Sequence, residues 1–482
     1  MIPLSFAQSR MWFLHKLEGP SATYNVPFVL RLDGTLDTTA LAAAVTDVVT
    51  RHESLRTLVV ENVDGTLEQR IVPEQEAALA FRVVEVSADA VDDAVQEAVR
   101  EPFDLGTELP LRTTVVRVAP QEHVLVFSFH HIAADGASMG PFLRDLMSAY
   151  AARHQGSAPD WEPLAVQYKD YTLWQQQVLG DESDPESVIA SQLAYWQKEL
   201  AAIPQPLQLP LDRPRPTSAS YRGGEVPFEL SPELLSRVQK LAVDYGGTAP
   251  MVAQAALAVL LNKLGAGEDL PIGSPMEGRG DEQLDDLIGF FVNTWVLRAD
   301  LSKNPTFSEL LEQVRDKALA AYDNQDIPFE RLVEELNPER STAYQALFQT
   351  VLGWQFVWPE IEMPGLQVTP VPAVTGTAKF DLFFNVVPKA SGGAHGLLEY
   401  ATDLFDHTTA VSFVDRFVRI LEQVVADPAM PVGAVEVLEQ DEREWLVRRL
   451  NDTAQPVAAD TLPGAFEAQV ERVPDRLAVI GE

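Results

Sequence analysis

Hydrophobic and polar positions change period repeatedly along this chain. In NVPFVLRLDG, Val26, Phe28, Leu30 and Leu32 alternate with their neighbours, the period-two pattern of a half-buried strand. The next segment, LDTTALAAAVTDVVTRHESLRT, changes to helical spacing behind Asp37, a natural N-cap, and predicts an amphipathic helix ending near His52. EQRIVP, FRVVEV and LRTTVVRVA read as strands, and the apolar HVLVFSF reads as a buried strand. A helix follows at PFLRDLMSAYAAR, with Pro141 in its first turn, where a missing N–H costs little. From Ile203 to Val226 the chain carries five prolines and a glycine pair with no sustained period, which predicts a crossing between two units. Beyond it, SPELLSRVQKLAVDYG and APMVAQAALAVLLNKLG read as helices, FFVNTWVLRADL as a strand, FSELLEQVRDKALAAYDNQ as a helix, and LFQTVLGWQF as a strand. A last long helix is predicted around AVSFVDRFVRILEQVVAD, after which NDTAQPVAADTLPGAFEAQVERVPDRLAVIGE starts a helix and a strand and stops in mid-pattern. Both halves mix strand and helix alike, so an α/β (α+β) chain is expected.

Composition sharpens this picture. With 482 residues, 46% of them hydrophobic, the chain is too long for one ordinary core, and two globular units are expected. The absence of cysteine removes disulfides, iron–sulfur clusters and thiolate zinc sites, and suits a reducing cytoplasm. A net charge of −35, from 71 acidic against 36 basic residues, repels nucleic acid and anionic membranes, so neither is an expected partner. No export signal is seen, nor an apolar run of the ~18 residues a membrane helix needs.

The chemistry concentrates in HHIAADG, His130 to Gly136, at the end of the buried strand. Adjacent residues of an extended strand point to opposite sides, so one histidine should face the interior and the other a cavity. An imidazole with pKa near ~6.5 can accept a proton from an attacking amine or hydroxyl, or hold that group in line. Asp135 would orient the ring or, through an arginine, the loop, and Gly136 would let the backbone turn where a Cβ clashes. A purely structural, hydrogen-bonded histidine pair accounts for the same residues. Adjacent histidines do not readily share one metal ion, and no spaced third ligand follows, so no metal is expected. There is no nucleophile elbow, phosphate loop or dinucleotide fingerprint.

HHIAADG resembles the HHxxxDG signature of condensation domains of non-ribosomal peptide synthetases and the wider chloramphenicol acetyltransferase-like acyltransferases. Further blocks resemble that family in its order: LSFAQSRMWFL near the start, RHESLRT from Arg51, YKDYTLWQ from Tyr168, IGFFVNTWVLR from Ile288, NQDIPFERLV from Asn324, LFQ from Leu347, AKFDL from Ala378 and YATDLFD from Tyr400. The resemblance covers residues 2 to about 450, and the tail resembles the opening of an adenylation domain, implying a piece of a megasynthase with Met1 as an added start.

The resemblance implies two chloramphenicol acetyltransferase-like lobes in a V around a central tunnel: residues 1–175, a connecting segment 176–226, a second lobe 227–450, and a linker with a truncated adenylation domain at 451–482. It implies peptide bond formation between thioesters carried on the 4′-phosphopantetheine arms of upstream donor and downstream acceptor carrier proteins, with no cofactor of the domain's own. His131 would face the tunnel and orient or deprotonate the acceptor amine or stabilise the tetrahedral intermediate, and His130 would be core-facing. Asp135 would pair with an arginine, Arg56 being the expected partner and Arg51 the alternative. Helix N-terminal N–H groups near the reacting carbonyl would help an oxyanion. Asn293 and Trp295 would line the tunnel, while Ala7, Met11 and Leu14 read as scaffold. Ala137 stands where the family usually has tryptophan, with Ser138 kept, and RSTAYQALFQ lacks the family's usual serine, arginine and proline. LEGPSATYNVP, HHIAADG and TAKFDL resemble the subtype that takes a donor ending in a D-residue, placed after an epimerization domain. FVNT argues against an epimerization domain itself, and the histidines against a heterocyclization domain. A catalytically dead recruiter of partner enzymes would be expected to have lost His131 or Asp135.

Overall fold

In the computed structural model of the chain, residues 2–338, 341–355, 360–454 and 461–481 are described. The strands are β1 (Asn25–Gly34), β2 (Thr57–Glu61), β3 (Leu67–Ile71), β4 (Ala80–Glu85), β5 (Leu111–Ala119), β6 (Glu122–His130), β7 (Gly223–Leu230), β8 (Asp269–Met276), β9 (Asn293–Asp300), β10 (Thr350–Trp354), β11 (Leu366–Val371), β12 (Leu382–Pro388) and β13 (Ala394–Ala401). The helices used below are α1 (Phe6–Glu18), α2 (Thr38–Arg51), α3 (Val91–Arg100), α4 (Met139–His154), α5 (Tyr168–Leu179), α6 (Val188–Glu199), α7 (Pro232–Asp244), α8 (Ala249–Lys263), α9 (Phe307–Asp323), α10 (Phe329–Leu336) and α11 (His407–Ala426).

The first sheet runs β11-β1-β6-β5-β4. Its alternating side chains supply two cores. Phe28, Leu30, Leu32, Leu125, Phe127 and Phe129 pack under α2 and α4, and Val29, Val116, Val124 and Val126 pack under α3. Asp37 caps α2 as its sequence suggests, accepting from the N–H groups of Thr39 and Ala40. The second sheet runs β7-β13-β12-β10-β8-β9 and is mixed, with β10 parallel to both β8 and β12. Helix α8 is buried on all sides from Met251 to Leu261, as expected of a helix apolar all round. Small sheet β2–β3 completes the set.

The chain is thus mixed α/β, with open sheets. Three boundaries differ from expectation. β7 begins at Gly223, inside the proline-rich crossing, because Gly223 to Leu230 pair with β13. β11 leaves the second half and pairs antiparallel with β1 on the first sheet. Compact packing runs as one unit to Val435 rather than to residue 450, and Glu436–Glu482 forms another. That second unit holds the expected helix at Leu462–Arg472, but among its described residues no strand follows. No helix among the described residues is long and apolar enough to cross a membrane.

Candidate active site

The alternation of β6 decides which way each histidine turns. Phe127 and Phe129 enter the α2–α4 core, so Ser128 and His130 fall on the opposite side, where Ser128 Oγ donates to Ala98 O of α3 at 3.1 Å. His130 is buried against the edge of Phe103, its Nδ1 accepting from Ile132 N–H at 3.1 Å. Its proton therefore sits on Nε2 in the neutral ring. Burial first, then the His131, His15, Lys379 and Arg112 charges, hold it well below the usual imidazole range.

His131 lies one residue beyond the strand. Its N–H donates to Tyr24 O at 2.9 Å, and its ring is tilted against Phe290 with centroids 4.7 Å apart. The residue is half-buried, and Nδ1 is sealed without a hydrogen-bond partner among the described residues. Burial first, then the Lys379 ammonium, pull its pKa down to about 4, against the opposing pull of Asp135 and the backbone at His131 and Ala134. The ring is neutral at physiological pH.

Asp135 is fully buried and saturated. Oδ1 accepts from Ser138 N–H at 2.9 Å, Ser138 Oγ at 2.7 Å and Arg279 Nη2 at 3.3 Å, and Oδ2 accepts from Phe291 N–H at 2.9 Å. The ion-pair partner is Arg279, not Arg56 or Arg51. Arg279 stacks over Phe291, 4.1 Å from its centroid, and donates to Leu287 O at 3.0 Å and to Leu284 O. Arg56 instead donates to Val72 O at 2.7 Å and lies near Glu53 and Glu74. Arg51 pairs with Asp145 at 2.9 Å and reaches Glu162 O at 2.7 Å. Arg51 ends α2, Arg56 ends the short 3-10 turn that follows it, and both are engaged by residues of the first half.

Sequence reasoning missed a larger arrangement, in which the motif blocks converge on the backbone of Ile288 to Phe291. Ser54 Oγ donates to Ile288 O at 2.7 Å, and His52 Nδ1 meets Ile288 N–H at 3.4 Å while its Nε2 faces Asp145 at 2.8 Å. Ser138 Oγ meets both Gly289 O at 2.9 Å and Gly289 N–H at 3.1 Å. The Tyr168 hydroxyl donates to Phe290 O at 2.6 Å and lies 2.9 Å from Ser5 Oγ. Phe291 N–H goes to Asp135. Each of four consecutive peptides is therefore held by a side chain from a different block or a different end of one.

Four further expectations meet the structure as follows. Gly136 is not at a positive φ, so turning does not require glycine; a Cβ there would come within 2.7 Å of Gln355 Oε1, the end of a flexible side chain that would have to shift. Ser138 precedes α4 without capping it, and the N–H groups of Ser138 and Met139 are already engaged by Asp135 Oδ1 and Gly136 O, leaving neither for an oxyanion. Trp295 is buried, edge-on to Tyr322 of α9, and is core rather than lining. Asn293 uses Nδ2 on Gln325 O and Ile327 O, at 2.9 and 2.7 Å, and Oδ1 on Phe329 N–H at 3.2 Å, clamping the NQDIPFE loop while bordering a cavity of about 70 Å³. Ala137 is half-buried beside Gly136. A second cavity, of about 640 Å³, lies between the end of α1 and residues 215–222, 341–345 and 376–381, with Lys379 on its wall. Among the described residues, no three histidine, aspartate or glutamate side chains gather as a metal site.

The structure is thus a two-sheet α/β fold with an HHxxxDG loop pinned across its halves. A family model described as "Condensation domain" matches residues 1–447, and the chain belongs to that family. It is 50% identical over 482 residues to a probable non-canonical nonribosomal peptide synthetase of Salinispora arenicola, covering 100% of this chain and 6% of that protein. It is 46% identical over 487 residues to a dimodular nonribosomal peptide synthase of Bacillus subtilis, covering 100% of this chain and 20% of that one. The chain thus spans a fifth or less of the length of these relatives. The X-domain from teicoplanin biosynthesis superposes with a TM-score of 0.82 at 36% identity, over 91% of this chain and 98% of that one. A four-domain nonribosomal peptide synthetase bound to AMP and glycine shares the fold at a TM-score of 0.86 and 23% identity, over 98% of this chain and 37% of that one.

Proposed function

We propose that the chain forms a peptide bond between a donor acyl or peptidyl thioester and an acceptor aminoacyl thioester, each on the 4′-phosphopantetheine arm of a separate carrier protein. The amine nitrogen attacks the thioester carbonyl, the C–N bond forms, the C–S bond breaks, and the amine proton ends on the departing thiolate. His131 is the group assigned to the attacking amine. A ring with pKa about 4 does not strip an ammonium of pKa ~8. It accepts a hydrogen bond from the neutral amine, holds it in line, and takes the proton once the nitrogen turns cationic in the tetrahedral intermediate.

The observation that carries this reading is the half-buried imidazole of His131 on a loop whose aspartate is tied across the two halves. Partners would be the donor and acceptor carrier proteins, an adenylation domain downstream and, for a donor ending in a D-residue, an epimerization domain upstream. The D-donor assignment rests on HHIAADG, TAKFDL and LEGPSATYNVP.

A second reading draws on the likeness to the teicoplanin X-domain, also solved in complex with OxyB: recruitment of a partner enzyme without catalysis. Retention of both His131 and Asp135 weighs toward catalysis. Two carrier proteins loaded with donor and acceptor thioesters decide between them. Dipeptidyl thioester on the acceptor carrier, faster from D- than from L-ended donors, is the expected result by mass spectrometry. No product from either donor would overturn catalysis and leave recruitment.

A further inference from the structure

The second sheet meets the HHIAADG loop just beyond the end of β10, through a side chain with no part in the proton transfer. Register sets the face involved. Val351 and Gly353 of β10 lie opposite Phe383 and Asn385 of β12, and Asn385 lies opposite Leu397 of β13, while the intervening Phe384 packs on Phe417 of α11. Gln355 continues the alternation, its N–H donating to Val386 O at 2.8 Å, so Gln355, Gly353, Asn385 and Leu397 share the face turned away from α11. That face looks onto the histidine loop, for Gln355 Oε1 stands 2.7 Å from where a Cβ on Gly136 would be. A Cβ on Gly353 would come within 2.8 Å of the Phe383 ring and 3.0 Å of Asn385 Oδ1, so the glycine gives Asn385 room to lie across β10. Gln355 Nε2 then donates to Asn385 Oδ1 at 3.4 Å. Among the described residues, Gln355 Oε1 has no hydrogen-bond donor and Asn385 Nδ2 no acceptor, and neither atom is sealed from solvent, although both side chains are half-buried.

An open acceptor beside an open donor, on two joined side chains, matches one edge of an extended amide chain, where the N–H and C=O of one unit point the same way. Resting on the reading of the chain as a condensation catalyst, we propose that Gln355 and Asn385 are a specificity pair that binds the amide edge of a carrier-borne substrate. Gln355 Oε1 accepts from a substrate N–H and Asn385 Nδ2 donates to a substrate C=O. Such a substrate offers amides from two sources: the peptide amide of the last donor residue, and the amides of the pantetheine arm. Either one, held there, fixes the substrate against the loop that ends in Gly136 and begins with the two histidines. An ester in place of the amide keeps the carbonyl but leaves Gln355 Oε1 without a donor, and so binds less tightly.

The test is ligand-observed NMR on the full chain with neutral, unreactive probes, comparing the parent with Gln355→Met and Gln355→Glu, each checked for folding by circular dichroism. One probe is pantetheine carrying an N-acetylalanyl group through a methylene between sulfur and carbonyl. A second has the α-nitrogen of that group replaced by oxygen, and a third is pantetheine alone. The parent should bind the first probe more tightly than the second by roughly three- to tenfold. Gln355→Met should abolish that preference, and Gln355→Glu, which keeps an acceptor oxygen, should retain it; this pattern assigns the contact to the donor amide. Weakening of all three probes alike in Gln355→Met, restored in Gln355→Glu, assigns it to the arm. Unchanged affinities in a folded Gln355→Met, or a general weakening that Gln355→Glu does not restore, overturn the proposal whether or not the parent condenses thioesters. A parent that shows the expected binding yet makes no product overturns the condensation reading alone.

Discussion

At the scale of single residues, the decisive contact is Asp135 with Arg279, both essentially inaccessible to solvent. Removing one partner strands a buried charge, which costs about 3–5 kcal/mol. Arg279→Met should lower the unfolding free energy measured in urea by that amount and reduce thioester condensation, whereas Arg56→Met should cost about 1–2 kcal/mol for its lost bond to Val72 O and leave the rate near parental. Equal losses of rate in the two variants would contradict the assignment. The pH dependence has a definite sign. His131 titrates near 6.5 when unfolded and at about 4 when folded, so between those values the unfolded chain binds the extra proton. Stability is full above pH 6.5 and falls as the solution is acidified toward the folded value, and His52 and His130, also lowered, act in the same direction. From His131 alone a loss of about 1–2 kcal/mol is expected between pH 6.5 and 5, and His131→Asn should flatten the urea midpoint against pH over that range.

At the scale of elements, local pattern and distant pairing separate cleanly. β1, α2 and β6 are legible because alternation, a cap at Asp37 and an unbroken apolar run are local signals. β8 was not read, because Gly273 and two prolines interrupt its apolar pattern; the glycine is there because a Cβ would collide with the Phe348 ring. His131 and Asp135 are legible as candidate site residues from their loop alone. Their partners Arg279, Phe290 and Phe291 lie far along the chain, and no single-sequence period links them. The seam they build makes a further prediction. Tyr168→Phe removes the hydroxyl between Phe290 O and Ser5 Oγ, leaving a buried carbonyl unpaired. A loss of about 1–3 kcal/mol in urea unfolding is expected, with a slower transfer rate as the Phe290 backbone loosens against His131.

At the scale of the molecule, the two sheets depend on each other. β11 closes the edge of β1 with residues from the second half, and Ile288 to Phe291 return the favour by docking into side chains of the first. A fragment ending at residue 222 lacks both, and should show no cooperative thermal transition by circular dichroism; a sharp transition in that fragment would show that the seam is dispensable for folding. On the proposed reading, this interlocking would hold the imidazole of His131 still while two tethered reactants are brought to it. The most direct measurement is the single-turnover rate of donor transfer to a loaded acceptor carrier by His131→Ala. Loss of in-line positioning and proton acceptance should slow transfer on the order of 100-fold or more, with carrier binding unchanged. Transfer at the parental rate would contradict the account.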